Sequence, residues 1–126
     1  MNSLTILVKN VKFSSVLEEL KWIFGLTESN CTPDADGTIN FYRNDIEFNF
    51  YQDHDFLDDM GIQFSKYPIV LGMNRIREGE GFSTYDPQVD TIARYLTEKI
   101  ASKLGGDSIL VSNLDTILAE YSTSKD

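Results

Sequence analysis

A chain of 126 residues with 41% hydrophobic and 12% aromatic side chains is long enough for a single hydrophobic core and too apolar for a disordered chain. Its net charge of −9 lacks the basic footprint that phosphate-backbone binding needs, so direct nucleic-acid binding is not expected. No apolar run approaches the roughly 18 residues of a membrane span, and the one cysteine, Cys31, leaves no internal disulfide to form.

The opening MNSLTILVKN lacks the basic start, long apolar stretch and small-residue cleavage site of a signal peptide. With the lone thiol this points to the cytoplasm, and residues 3–10 read as a first strand. In FSSVLEELKWIFG, the residues Phe13, Val16, Leu17, Leu20, Ile23 and Phe24 recur at helical spacing. Ser15 and Glu18 stand at capping-box spacing, and Gly25 is a natural stop. Trp22 falls opposite the middle of this stripe, so it is either exposed for a partner or covered. A lone exposed tryptophan is unusual, and the loop after the helix is expected to fold over it.

Residues 26–37 are turn-rich. Asn30-Cys31-Thr32 spells a glycosylation sequon, read as chance without a secretory signal. PDADGT hints at a calcium loop and fails the test. Aligning Gly37 with the invariant glycine puts Thr32 at the first ligand position and Arg43 where a bidentate Glu is required. The segment is expected to be a turn led by Pro33 and closed by Gly37.

TINFYRNDIEFNFY predicts a hairpin about Asn44-Asp45. Phe41 then opposes Phe48 and Ile39 opposes Phe50, with Ile46 on the same core face. Tyr42, Glu47, Asn49 and Tyr51 take the other face, wet or interfacial. A strand follows over 67–76, with Pro68 tolerated at its start, and residues 77–86 read as a loop. Asp86 as N-cap and Pro87 at the first helical position open a helix with the stripe Val89, Ile92, Ala93, Leu96, Ile100 and Leu104, stopped by Gly105-Gly106. Residues 108–112 form a strand; 116–121 read as a paired strand across an Asn-Leu-Asp turn in preference to a terminal helix. The resulting order β-α-β-β-β-α-β-β predicts one α+β domain over 1–121 and a frayed tail over 122–126. Its sheet should be mostly antiparallel, of five to six strands, with two helices on one face.

The charge is localised. Between Trp22 and Ser65 nine acids face one base, Arg43, giving −8 and leaving −1 for all other residues. The densest part is FYQDHDFLDDMG, residues 50–61, with four aspartates and the chain's only histidine. One histidine and no neighbouring cysteine do not make a zinc site. On an extended segment His54 points away from Asp53 and Asp55; on a helical one, Asp55 and Asp59 stand a turn apart and would share a hard cation. For catalysis, Ser65 and Ser83 carry no nucleophile-elbow motif, and Cys31 sits in an acidic loop that should raise its thiol pKa. GEGFST has Thr84 where a dinucleotide fingerprint has its third glycine. No cofactor motif is complete, and an enzyme is not expected. Aromatic residues interleaved with carboxylates, by contrast, are what a surface for a basic protein partner uses.

The short SLTILVKN opening, the acidic hairpin FYRNDIEFNFYQDHDFLDD and the closing SILVSNLDTILAEY together resemble the small acidic α+β immunity proteins. Those proteins neutralise bacterial polymorphic and contact-dependent-inhibition toxins. The likeness is one of style over the full length, and no binding residue is carried over from it. It implies a cytoplasmic protein that blocks a cognate toxin domain, often a nuclease with a basic cleft. The partner-binding residues expected are Asp53, Asp55, Asp58 and Asp59, with Glu47, Tyr51, His54 and Phe56 as neighbouring contacts. The alternatives are a metal-ion or small-ligand-binding domain that uses the Asp53–Asp59 carboxylates, and a homodimer formed through an open sheet edge.

Overall fold

Period-two alternation of apolar side chains builds the hairpin strands, and near-continuous apolar runs build those at the centre of the sheet. The computed structural model describes residues 4–43, 45–59, 61–75 and 87–122. The elements are β1 (Leu4–Lys9), α1 (Phe13–Phe24), β2 (Ile39–Arg43), β3 (Ile46–Gln52), β4 (Ile69–Arg75), α2 (Pro87–Leu104), β5 (Asp107–Ser112) and β6 (Thr116–Tyr121). Short 3₁₀ turns lie at Glu28–Cys31 and Phe64–Lys66. All six strands join one antiparallel sheet in the order β2-β3-β4-β1-β5-β6. The predicted α+β class and element order hold. Neither described helix is long and apolar enough to cross a membrane.

Both helices pack on one face. Val16 and Leu20 of α1 and Val89, Ala93, Leu96 and Ile100 of α2 close over Ile6, Val8, Phe48, Phe50, Leu71, Met73 and Leu110. Aromatic rings fill the hairpin end of this core: Phe41 stacks on Phe48 at 4.7 Å and Phe13 on Phe50 at 4.2 Å. The hydroxyl of Ser108 donates to the carbonyl of Thr97 (2.6 Å), tying β5 to the middle of α2.

The opposite face is not simply wet. At its centre Leu7, Val70, Ile109 and Val111 are buried under Ile62 and Phe64, which belong to the segment between β3 and β4. The hairpin end stays polar. There the Tyr42 hydroxyl donates to the Glu47 carboxylate (3.0 Å), and Asn49 donates to Asn40 (2.6 Å), which donates to Asp34 (3.2 Å). Continuous burial of Leu4 to Val8 follows from these two covers.

The hairpin register is as expected, Phe41 against Phe48 and Ile39 against Phe50, with Asp45 at φ +62° in the turn; Asn44 lies outside the described residues. Residues 116–121 are a strand, after a turn in which Asn113 and Leu114 both take positive φ. The calcium-like loop is an Asx turn: the Asp34 carboxylate accepts from the backbone of Asp36 (2.9 Å) and Thr38 (3.0 Å), and Gly37 supplies φ +83°. The Asp86 cap, the 77–86 loop and tail residues 123–126 lie outside the described residues.

Two expectations are corrected. The N-cap of α1 is Lys12 and no side chain caps it, so Ser15 and Glu18 lie within the helix and form no capping box. Trp22 is uncovered, with 76% of its surface exposed. The loop after α1 turns at Gly25 (φ +64°) and sends Leu26 and Cys31 into the core, where burial of these apolar groups wins over covering Trp22. The ammonium of Lys103 lies over the Trp22 ring at 5.0 Å and pairs with Glu19 at 3.0 Å. Urea denaturation should show this difference: Phe48→Ala should lose about 3–5 kcal/mol, and Trp22→Ala no more than about 1 kcal/mol from its cation–π contact.

Candidate functional site

Between the antiparallel neighbours β3 and β4 runs a connection from Asp53 to Pro68, far longer than the 2–5 residues a hairpin needs. Its length is used to cover the second face of the sheet, and a set of short-range bonds fixes its path. The backbone N–H of Asp53, at φ +59°, donates to the carbonyl of Pro68 (2.9 Å) and closes the base of the loop. Asp59 and Ile62 exchange both backbone hydrogen bonds (3.1 and 2.8 Å) around Gly61 at φ +77°.

His54 locks the middle. Its Nδ1 accepts from the backbone N–H of Phe56 (3.0 Å), which requires the proton on Nε2 and places that nitrogen as donor to the Tyr67 carbonyl (2.6 Å). The imidazole packs on Phe56 at 4.6 Å, and Phe56 meets Phe64 edge-on at 6.0 Å and Tyr51 at 6.5 Å. Asp58 ties the far end, its Oδ1 accepting from the backbone N–H of Ser65 (2.9 Å). That bond, with a further one from the Ser65 hydroxyl and the nearby charge of Lys66, holds the Asp58 carboxyl below its ordinary value of 3.8.

Along this segment burial sorts charge from ring. Asp53, Asp55, Asp58 and Asp59 are exposed, while His54 and Phe56 turn inward and are half-buried. The eight expected site residues therefore divide. The four aspartates form a solvent-facing crest. Tyr51, His54 and Phe56 support it from beneath, and burial, followed by the charge of Asp55, pushes the Tyr51 hydroxyl up. Glu47 stands apart, four residues or about 13 Å along β3 from Tyr51, and is bonded to Tyr42.

Leu57 is the residue the sequence reading passed over. It is 84% exposed at the top of the crest. A signal for it exists, since neighbours Phe56 and Leu57 cannot both face inward on an extended segment. Beside Leu57 lies a hollow of about 530 Å³ lined by Phe56, Leu57, Asp58, Asp59, Phe64 and Leu114. A second groove, about 560 Å³, runs on toward β6 and includes Lys9, Lys66, Tyr67, Ile117 and Glu120 in its lining.

Both ring nitrogens of His54 are committed to the backbone. Because 53–58 is not helical, Asp55 and Asp59 do not stand one helical turn apart. Among the described residues no three of His, Cys, Asp and Glu converge as ligands. The Cys31 thiol is pushed up, as expected, though burial and not the acidic loop is the first cause. Comparison of the chain with family models, with curated proteins and with solved structures finds no match.

Because the folded Asp58 carboxyl lies below its unfolded value, its contribution is complete above that unfolded value and is lost as pH falls through the lower folded one. The Ser65 amide proton should follow this with a midpoint under 3.8, and Asp58→Asn should abolish the titration. His54→Ala, which removes two bonds to the backbone, should cost about 1–3 kcal/mol by denaturation and speed hydrogen exchange at Phe56 first.

Proposed function

We propose that this protein is a non-enzymatic binding module that captures a basic protein partner on the acidic crest. The partner class best supported is a bacterial toxin domain, with the protein acting in the cytoplasm as its immunity protein. The observation that carries this reading is the crest itself: four exposed aspartates on a loop whose base, middle and tip are each tied down by hydrogen bonds. A loop tied in this way has less freedom to lose on binding, so more of the electrostatic attraction is retained as affinity. The concentration of −8 within residues 22–65 supplies the field, and the likeness to immunity proteins supplies the partner class.

The decisive experiment is to co-express the C-terminal domain encoded immediately upstream with this chain. The domain should be toxic alone, and the two should copurify. Association rates should fall steeply with salt, and Asp58→Lys combined with Asp59→Lys should slow association by about tenfold or more at low salt. An unchanged rate in that double variant would remove the crest from the interface.

A further inference from the structure

We propose that β6 pairs with β6 of a second copy of this chain, antiparallel about a two-fold axis, so that two sheets join edge to edge. The proposal is independent of the reading of the crest. It starts from a difference between the two edges of the sheet. At β2 the outer edge is occupied: Pro33 bridges Ile39, and the Arg43 guanidinium donates to the carbonyls of Tyr42 (2.9 Å) and Phe24 (3.1 Å). At the other end stands β6, and among the described residues no strand or bridge pairs with its outer side. Its sequence, TILAEY, contains neither the lysine nor the proline that discourages edge pairing, and Ile117 is left 39% exposed on it.

A second copy fits this edge because the strand is a palindrome of faces. Opposite Val111 and Ile109, which belong to the cluster under the loop, stand Ile117 and Glu120, so both project on the loop-covered face. Leu118 and Ala119 pack on the helical core. Thr116 and Tyr121 stand opposite Ser112 and Ser108 on that same helical face, where Ser112 is level with Leu4 and Ser108 bonds to Thr97 of α2. The repeat of the helical face at Leu118 and Ala119 comes from the bulge: the register on β5 steps from Ala119 to Ile117 and leaves Leu118 as the extra residue.

Residues directly opposite in an antiparallel pair share a face, and this fixes one register. Ile117 meets Glu120 of the second copy, Leu118 meets Ala119, and Thr116 meets Tyr121. A slip of one residue in either direction sets Ile117 against Ala119 or Tyr121, on the wrong face. The carbonyl of Leu118 is already reached by Arg94 at 3.5 Å, so the flanking pairs carry the ladder. Like charges do not meet in this register. Glu120 lies against the isoleucine, and the two Glu120 side chains stand three residues apart along the ladder, roughly 10 Å. Because opposed residues keep their faces, the axis is perpendicular to the sheet, and the crests of both copies lie on the same side.

Sedimentation velocity of the full chain from about 10 μM to 1 mM, in about 0.3 M salt to screen the net charge, reads the association. An edge this short buries less than the roughly 1,200 Å² of a standard interface, so a dissociation constant of about 10–500 μM is expected. Ile117→Glu sets two glutamate pairs opposite one another and should weaken association by about threefold to thirtyfold; adding Glu120→Lys turns both into opposite-charge pairs and should restore it. On mild oxidation, a mixture of Ile117→Cys and Glu120→Cys chains should form a mixed disulfide, and neither variant alone should crosslink. A monomer throughout the range, association indifferent to Ile117→Glu, or no recovery in the double variant with its native amide spectrum intact would overturn the proposal. Crosslinking of Ile117→Cys to itself as readily as to Glu120→Cys would do the same.

Discussion

Burial of β1 on both faces is the constraint from which the rest of the architecture follows. The strand sits between β4 and β5 and presents Ile6 and Val8 to one side and Leu7 to the other, all without solvent exposure. Two helices cover the first side. Both lie on that side, so the second must be closed by something else, and the only long connection placed to do so among the described residues is the one between β3 and β4. Its Ile62 and Phe64 provide the cover. The position of the acidic crest is therefore a consequence of sheet coverage: the same loop that sends apolar groups down carries its charge at exposed positions.

That loop holds like charges close together, and magnitudes decide whether it stays folded. Aspartates two residues apart on an extended chain are about 6–7 Å apart, and two unit charges at that distance in water repel by roughly 0.6 kcal/mol before salt screening. Full burial of each of Ile62 and Phe64 gains about 1.5–3 kcal/mol, and the bonds made by His54 and Asp58 add to this. Packing therefore outweighs repulsion and the crest persists. The residual repulsion does not vanish, however. It is relieved when a cationic group approaches, so the strain of assembling the carboxylates is returned as attraction for a basic partner.

Much of this was legible in the residues. The hairpin register follows from strict alternation on both sides of a two-residue turn, and α2 follows from its stripe and proline start. The location of the acidic segment was equally plain. Its internal direction was not. Composition shows Asp, His, Phe and Tyr together, and only the path of the loop separates outward aspartates from inward rings. His54 looked like a contact or a ligand and is a clamp, because its partners are backbone groups of Phe56 and Tyr67 that no side-chain pattern reveals. Trp22 was misjudged for a related reason. Leu26 and Cys31 had two destinations, and core volume, invisible in one dimension, chose between them.

The distribution of charge across the sheet completes the physical picture. Asp34 and Glu47 bond to Asn40 and Tyr42 on the face that also bears the crest, so acids occupy that face from the hairpin end to the loop. The helical side carries Arg94 paired with Asp90 and Lys103 paired with Glu19, an arrangement close to neutral. The field therefore has a direction through the molecule, the more negative side being the one that bears the crest. Beyond about 8–10 Å that orientation is screened at ordinary salt, so it shapes the encounter and not the final fit.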